Sequence, residues 1–250
     1  MEVLGKPHSV LYEFILIFYG IIVFSIGYVV KAHFTNVAIL YDSLKTPWGV
    51  ITAMFVYDGD ANIIVYALFA DFFIGANAAY DRSIRAKRYL LTICLSICAA
   101  LLADIANLGL YALSNRNGSG FGQSGIVYGF IGAVTAVTLF DFLTYLLILI
   151  RRVRKKPIGF RMRKMSDRRS RRVTTGIFTI FILLFSIFYA LIDPRNFFSI
   201  APGVDSFVHL VSFAIGAIFS IYLIYKYRTS LTYLSPILSL QSSNNLTQIQ

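Results

Sequence analysis

Apolar stretches of roughly 20 residues recur along the chain and are separated by short polar or basic segments. As a helix rising about 1.5 Å per residue, each is about long enough to cross the ~30 Å hydrocarbon layer of a bilayer. We therefore predict an all-α membrane protein with six transmembrane helices. The predicted spans cover about residues 14–30, 61–79, 89–113, 125–150, 174–192 and 207–225.

The composition agrees with a chain whose solvent is the bilayer. Hydrophobic residues make up 57% of the 250 residues, charged residues make up 14%, and the mean hydropathy is +0.70. No linker separates a second domain, so we predict one transmembrane domain over residues 1–228 and a polar tail over 229–250 that is mobile at its end. The first span is longer than a signal-peptide core and lacks a small-residue cleavage site, which predicts that it is retained.

Basic residues are divided unevenly between the two faces that six spans define. One face carries 19 of the 23 Lys and Arg residues: Lys6, four between the second and third spans, twelve between Arg151 and Arg172, and two after the last span. The other face carries Lys31, Lys45, Arg116 and Arg195. Cytoplasmic loops hold the excess of basic residues, so both termini are predicted to be cytoplasmic.

The basic segment over residues 151–172 contributes much of the net charge of +11. A basic run of this kind can bind nucleic acid in a soluble protein. On a loop of a multi-pass membrane protein it attracts anionic lipid headgroups, by about 1 kcal/mol per residue near the surface. We therefore expect headgroups, and no nucleic acid, as its partner.

Small residues open the fourth predicted span. Ser124 is followed by Gly125, Gly129 and Gly132, a spacing that lets the backbones of membrane helices approach each other. Taken alone, this stripe fits a packing face in which Ser124 is one more small residue.

A histidine lies near the start of the sixth predicted span, on or near a second stripe of small residues. His209 precedes Ser212, Gly216 and Ser220, and a histidine near a span is costly enough to suggest a function. The fourth and sixth spans run in the same direction, so Ser124 and His209 are predicted to lie at similar depth. Two such helices side by side can bring a serine within the ~2.6–3.2 Å at which a general base activates it.

Both segments resemble the active-site motifs of rhomboid intramembrane proteases. Residues 122–129, GQSGIVYG, resemble the G-x-S-G-x-x-[YF]-G signature that opens the fourth helix of that family. Residues 209–216, HLVSFAIG, are similar to H-x-x-G-x-x-x-G in its sixth helix, with Ser212 at the first glycine. Residues 46–55, TPWGVITAMF, are similar to the stretch before its second helix, so the resemblance covers about residues 47–225.

The resemblance implies a six-helix rhomboid-like bundle that cleaves transmembrane segments of other proteins. It assigns Ser124 as the nucleophile, His209 as the general base and Tyr128 as the aromatic ring that packs against the imidazole. It implies a dyad without a triad aspartate, and neither a metal nor a cofactor. The residues that the same motifs assign to packing around the site are Gly122, Gly125, Gly129, Ser212 and Gly216.

The second predicted helix departs from the family pattern F-x-H-x-x-x-x-H-x-x-x-N. Phe55 is kept, but Tyr57, Asn62 and Tyr66 replace the two histidines and the asparagine. In the family the second histidine and the asparagine help to hold the oxyanion, where one donor typically contributes ~3 kcal/mol. An amide and a phenol can also donate hydrogen bonds. The expected oxyanion donors are therefore Asn62, less strongly Tyr66, and the backbone N–H of Ser124.

Two other functions stay open on the sequence. The altered second helix also fits a rhomboid-like pseudoprotease that binds transmembrane helices without cutting them. In a different class, Asp71, Asp104 and Asp141 within the spans suggest a small transporter, although their different depths favour structural roles. Cys94 and Cys98 are four apart in an apolar stretch, which favours packing over a metal site.

Overall fold

The computed structural model describes residues 14–34, 49–57, 59–114, 122–154, 166–192 and 206–227. These residues form seven helices and, within those ranges, no strand. The helices are α1 (Ile15–Phe34), α2 (Gly49–Ala53), α3 (Asp60–Ala76), α4 (Arg82–Ser114), α5 (Ser124–Arg154), α6 (Ser166–Ile192) and α7 (Ser206–Lys226).

Four of the described helices are long and apolar enough to cross a membrane: α1, α4, α5 and α7. Helix α3 has 17 residues, and the apolar part of α6 is the shorter segment Thr175–Phe188. The described chain is thus all-helical with several apolar helices of membrane-spanning length, as an all-α membrane protein requires.

Several helices extend beyond the predicted apolar stretches. Helix α4 begins at Arg82, so the basic residues placed between the second and third spans lie on a helix. Helix α5 continues to Arg154 and α6 begins at Ser166, so both ends of the predicted basic loop over 151–172 are helical. An apolar stretch in the sequence marks only the part of a helix that matches the hydrocarbon layer. The backbone hydrogen bonds of the helix continue beyond that part.

Helix α3 ends earlier than predicted, at Ala76 and not at residue 79. The amide side chain of Asn77 donates to the Phe73 carbonyl at 2.7 Å, and the Asn77 backbone N–H donates to the same carbonyl at 3.0 Å. The side chain thus bonds the carbonyls at the end of the helix, which stops it there.

Helix α5 is the centre of the bundle and contacts α3, α4, α6 and α7. Glycines bring α5 and α7 into backbone contact. A Cβ at Gly132 would lie 2.9 Å from the Phe213 carbonyl carbon, and a Cβ at Gly216 would lie 3.1 Å from the Gly129 carbonyl carbon. Only glycine permits this approach, which in a membrane replaces hydrophobic association as the source of packing energy.

A buried ion pair joins α4 to α5 far from Ser124. The Arg88 guanidinium, 1% exposed, donates to both oxygens of Asp141 at 2.7 and 2.8 Å. It also donates to the Asn77 side-chain oxygen at 2.7 Å and lies 3.9 Å from the centre of the Tyr80 ring. Arg88 is therefore a structural residue, not the free loop charge that the sequence predicted, and Asp141 has a partner that the sequence could not name.

Cys94 and Cys98 are exposed on α4, so the prediction that they pack between helices is wrong. Other predictions concern residues outside the described ranges: the tail over 229–250, the loop between α5 and α6 over 155–165, the segment around Pro47, and the basic residues Lys6, Lys45, Arg116, Arg195 and Arg228.

Candidate active site

The N-terminal end of α5 is held by the chain that follows α2. The Gly122 N–H donates to the Ala53 carbonyl and the Gln123 N–H donates to the Val56 carbonyl, both at 3.0 Å. Gly122 has a φ of 146°, a backbone conformation that side chains disfavour. Glycine at this position therefore lets the chain turn directly into the first residue of α5, Ser124.

Gln123 is the residue that the sequence reasoning missed. Its side chain is fully buried, and its amide nitrogen donates to the Val23 carbonyl of α1 at 2.6 Å and to the Phe55 carbonyl at 3.2 Å. A Cβ at Gly27 would collide with this amide. A glutamine within a glycine-rich segment at a helix start is the sequence signal that could have indicated such a role.

The ring of His209 stacks on the ring of Tyr128. Their centroids are 4.1 Å apart and the planes differ by 12°. Both side chains are buried, at 7% exposure for His209 and 2% for Tyr128. This stack fixes the imidazole plane against α5, one helical turn from Ser124.

Ser124 and His209 lie in the facing first turns of α5 and α7. A Cβ at Gly125 would lie 3.3 Å from a Val208 methyl group and 3.6 Å from the Ser212 hydroxyl. Ser124 directly precedes Gly125, and His209 directly follows Val208. The half-buried Ser124 and the buried His209 are therefore brought to the same end of one tightly packed helix pair.

The predicted packing residues line this helix pair. Gly129 contacts Gly216 on one side, and a Cβ there would lie 2.9 Å from the Cβ of Ala99 in α4 on the other. Ser212 is fully buried between α5 and α7, and its hydroxyl has no hydrogen-bond partner among the described residues. These small side chains let three helices meet around the Ser124 end of α5.

The two candidate oxyanion side chains differ in their surroundings. Asn62 is half-buried in the first turn of α3. Tyr66, one turn further, is buried at 5% exposure, and its hydroxyl donates to the Leu16 carbonyl of α1 at 2.6 Å. Its ring lies 4.8 Å from that of Phe130 in α5. The Tyr66 hydroxyl is thus engaged by α1 in this structure.

The three acids of the spans have different environments. Asp141 is paired with Arg88. Asp104, on α4, is buried at 8% exposure and has an interaction partner. Asp71 is exposed on α3. Within the part of the chain that the structure describes, no three His, Cys, Asp or Glu side chains are grouped as metal ligands.

No protein-family model, no curated protein and no solved structure matches this chain. The function proposed below therefore rests on the residues of the chain itself.

Proposed function

We propose that this chain is an intramembrane serine protease of the rhomboid type, with Ser124 as the nucleophile and His209 as the general base. The observation that carries the proposal is the stack of His209 on Tyr128, one helical turn from Ser124. A serine, a histidine and an aromatic ring that holds the histidine thus share one end of two helices in backbone contact.

The proposed substrate is a peptide bond in or near a transmembrane segment of another protein. His209 accepts the Ser124 proton as the hydroxyl oxygen attacks the carbonyl carbon. The peptide C–N bond then breaks, and the amine leaves with the proton returned by His209. Water, deprotonated by His209, attacks the acyl-enzyme and releases the new carboxylate and free Ser124.

The stack supports this role through the position of the base. A general base must be held within hydrogen-bond reach of the proton that it removes. The buried Tyr128 ring covers one face of the imidazole and limits its rotation. A base whose orientation is held by a ring in this way is what a dyad without a triad carboxylate requires.

The start of α5 supports an oxyanion hole. The first N–H groups of a helix lack partners within the helix and carry its positive dipole end. The Ser124 N–H belongs to this set, and we assign Asn62 as the second donor because its amide can donate two hydrogen bonds. Tyr66 is the weaker candidate because its hydroxyl donates to Leu16.

The proposal includes six membrane spans with cytoplasmic termini. Helix α3, at 17 residues, has a length of about 25 Å, close to the hydrocarbon thickness. We propose that α3 and the apolar part of α6 also cross the membrane, which together with α1, α4, α5 and α7 makes six spans. The excess of Lys and Arg on the face of the termini gives the orientation.

A serine-reactive fluorophosphonate and a reporter transmembrane substrate test the proposal in reconstituted protein. We expect the wild type to label and cleave, and Ser124→Ala and His209→Ala to do neither. Asn62→Ala should cleave about 100-fold more slowly if its amide is an oxyanion donor. Matched controls are Ser220→Ala, at a buried serine of α7, and His33→Ala, at an exposed histidine of α1. Both should label as the wild type does.

The alternative functions give other results. A folded wild type that is not labelled and does not cleave the substrate, but still binds its transmembrane helix, indicates a pseudoprotease. Substrate-independent ion flux that Asp71→Asn abolishes indicates a transporter. That function has less support, because Asp141 is paired with Arg88 and Asp104 is buried in α4.

A further inference from the structure

A groove of about 750 Å³ lies between α1 and α3. Its walls are mainly apolar, and several of the side chains along it are exposed. The groove runs from Tyr28 and Tyr57 at one end to Ile17 and Ile74 at the other. It therefore follows the two helices for most of the length of α3 and opens to the surroundings of the bundle.

One carboxylate in this groove stands apart from the other acids. Asp71 is exposed, lines the groove, and forms no hydrogen bond or ion pair with any residue in the described part of the chain. Asp60 at the other end of the groove accepts a hydrogen bond from Tyr57, and Asp141 is paired with Arg88. A carboxylate facing hydrocarbon is costly and is usually retained for a function.

The depth of Asp71 follows from the two helices that enclose the groove. Helices α1 and α3 are antiparallel, because Tyr57 N–H bonds the Gly27 carbonyl and Tyr66 hydroxyl bonds the Leu16 carbonyl. Asp71 lies five residues beyond Tyr66, towards the N-terminal end of α1. It is about 8 Å inside the C-terminal end of α3 and about 16 Å from its N-terminal end.

We propose that the groove binds a transmembrane helix of a partner protein that carries a Lys or Arg about 8 Å inside one end, which pairs with Asp71. In hydrocarbon the partner must be helical, because only a helix satisfies its own backbone. The small side chains of Ser25 and Ala67 let its backbone approach. Pairing neutralises two charges that would each be costly in lipid.

The charge pattern favours such a helix over the other occupants. No Lys or Arg occurs within the six apolar stretches of this chain, so a second copy offers no matching cation. An acyl chain offers Asp71 no partner, and an anionic headgroup repels it. The proposal requires α3 to lie in the membrane beside α1, but it does not require Ser124 to be catalytic.

Site-directed crosslinking tests the groove in the full chain. The native cysteines are replaced (Cys94→Ser, Cys98→Ser), and Ser124→Ala prevents cleavage, so binding is read without hydrolysis. Ala67→Cys places the reactive thiol in the groove, and Ala112→Cys places it on an exposed position of α4 that does not line the groove. The probe is a 21-residue Leu/Ala helix in phosphatidylcholine nanodiscs. It carries one cysteine, and one Lys about 8 Å inside the end that lies level with the C-terminal end of α3.

We expect the Lys helix to crosslink to Ala67→Cys about 5- to 30-fold more than an all-Leu/Ala helix, as one polar contact in a membrane supplies. Crosslinking should fall to the Leu/Ala level in Asp71→Leu, and should be weak when the Lys is moved to the opposite third of the probe. Asp71→Lys should transfer the preference to a helix with Glu at the same depth. Ala112→Cys should crosslink all helices equally weakly.

Three results would overturn the proposal: equal crosslinking of the Lys and Leu/Ala helices, an unchanged preference in Asp71→Leu, or a disulfide between two copies of the chain that excludes the probe. Because Ser124 is absent throughout, each is independent of whether the protein is a protease. Failure of the fluorophosphonate experiment with successful crosslinking would leave a helix-binding protein without hydrolytic activity.

Discussion

The contact between α5 and α7 and the contact between α1 and α3 are built in opposite ways. Glycines at 129, 132 and 216 bring the backbones of α5 and α7 together, and 67% of the residues in the most apolar segment of α5 are buried. Side chains hold α1 and α3 apart around a groove, and only 22% of the residues in the most apolar segment of α1 are buried. The bilayer supplies no hydrophobic force between helices, so the size of the residues at each contact decides how closely the two backbones approach.

The largest effect is expected from filling the tight contact. Gly132→Ala places a methyl group against the Phe213 carbonyl and should lower the free energy of unfolding by about 3 kcal/mol, the upper range for overpacking. Gly109→Ala on α4, where a Cβ meets nothing within 4 Å, is the matched control. Unfolding in detergent by SDS titration measures both. Equal stabilities would mean that α5 and α7 are not in backbone contact.

The next effect sharpens the link between tight packing and chemistry. Tyr128→Leu removes the ring that covers His209 and should slow substrate cleavage about 100-fold, the cost of a base displaced by about 1 Å. Tyr128→Phe keeps the ring and should retain most of the rate. The ring-current shift of the His209 imidazole protons provides a readout that does not depend on activity. If the His209 imidazole protons resonate at the same position in Tyr128→Leu as in the wild type, the stack is contradicted.

Gln123 connects the two regions, and its removal should have an intermediate effect. Gln123→Leu leaves the Val23 and Phe55 carbonyls without their donor and should lower the free energy of unfolding by about 2 kcal/mol. Gln123→Glu is the paired variant, since it keeps the volume but cannot donate when ionised. If both variants unfold as the wild type does, the amide does not hold α1 to α5.

The smallest effect is expected in the groove. Ala67→Leu adds volume to an open space and should change the free energy of unfolding by less than about 0.5 kcal/mol. Ala99→Leu, at a fully buried alanine against Gly129, should cost about 2 kcal/mol. SDS titration again compares the two. A similar loss at both alanines would show that the groove is as closely packed as the α5 contact.

The sequence predicted the helices better than their ends. Each predicted stretch falls on a described helix, yet α4 begins seven residues before residue 89 because Arg82 to Arg88 continue its hydrogen bonding. The pairing of Arg88 with Asp141 joins residues 53 positions apart. No local pattern distinguishes such an arginine from one that marks the cytoplasmic face.

The candidate site was predictable where it depends on residue spacing. The small residues beside Ser124 and His209 predicted a close approach of two helices, and the motif resemblance named Tyr128 as the ring at the imidazole. The sequence already favoured Asn62 over Tyr66 as an oxyanion donor, but it gave no partner for either side chain. They differ in the structure because the Tyr66 hydroxyl bonds a carbonyl on α1. Partners contributed by a distant helix cannot be read from local spacing.

The hydrogen bonds of Gln123 have a mechanical consequence. One accepting carbonyl, at Val23, belongs to α1, and the other, at Phe55, belongs to the turn that leads into α3. Helix α1 is one wall of the groove, the turn at Phe55 precedes the other wall, α3, and Gln123 is the residue before Ser124. We expect a helix that widens the groove to lengthen one of these two bonds and to tilt the first turn of α5. The Gln123 amide would in this way transmit a change at the groove to the position of Ser124.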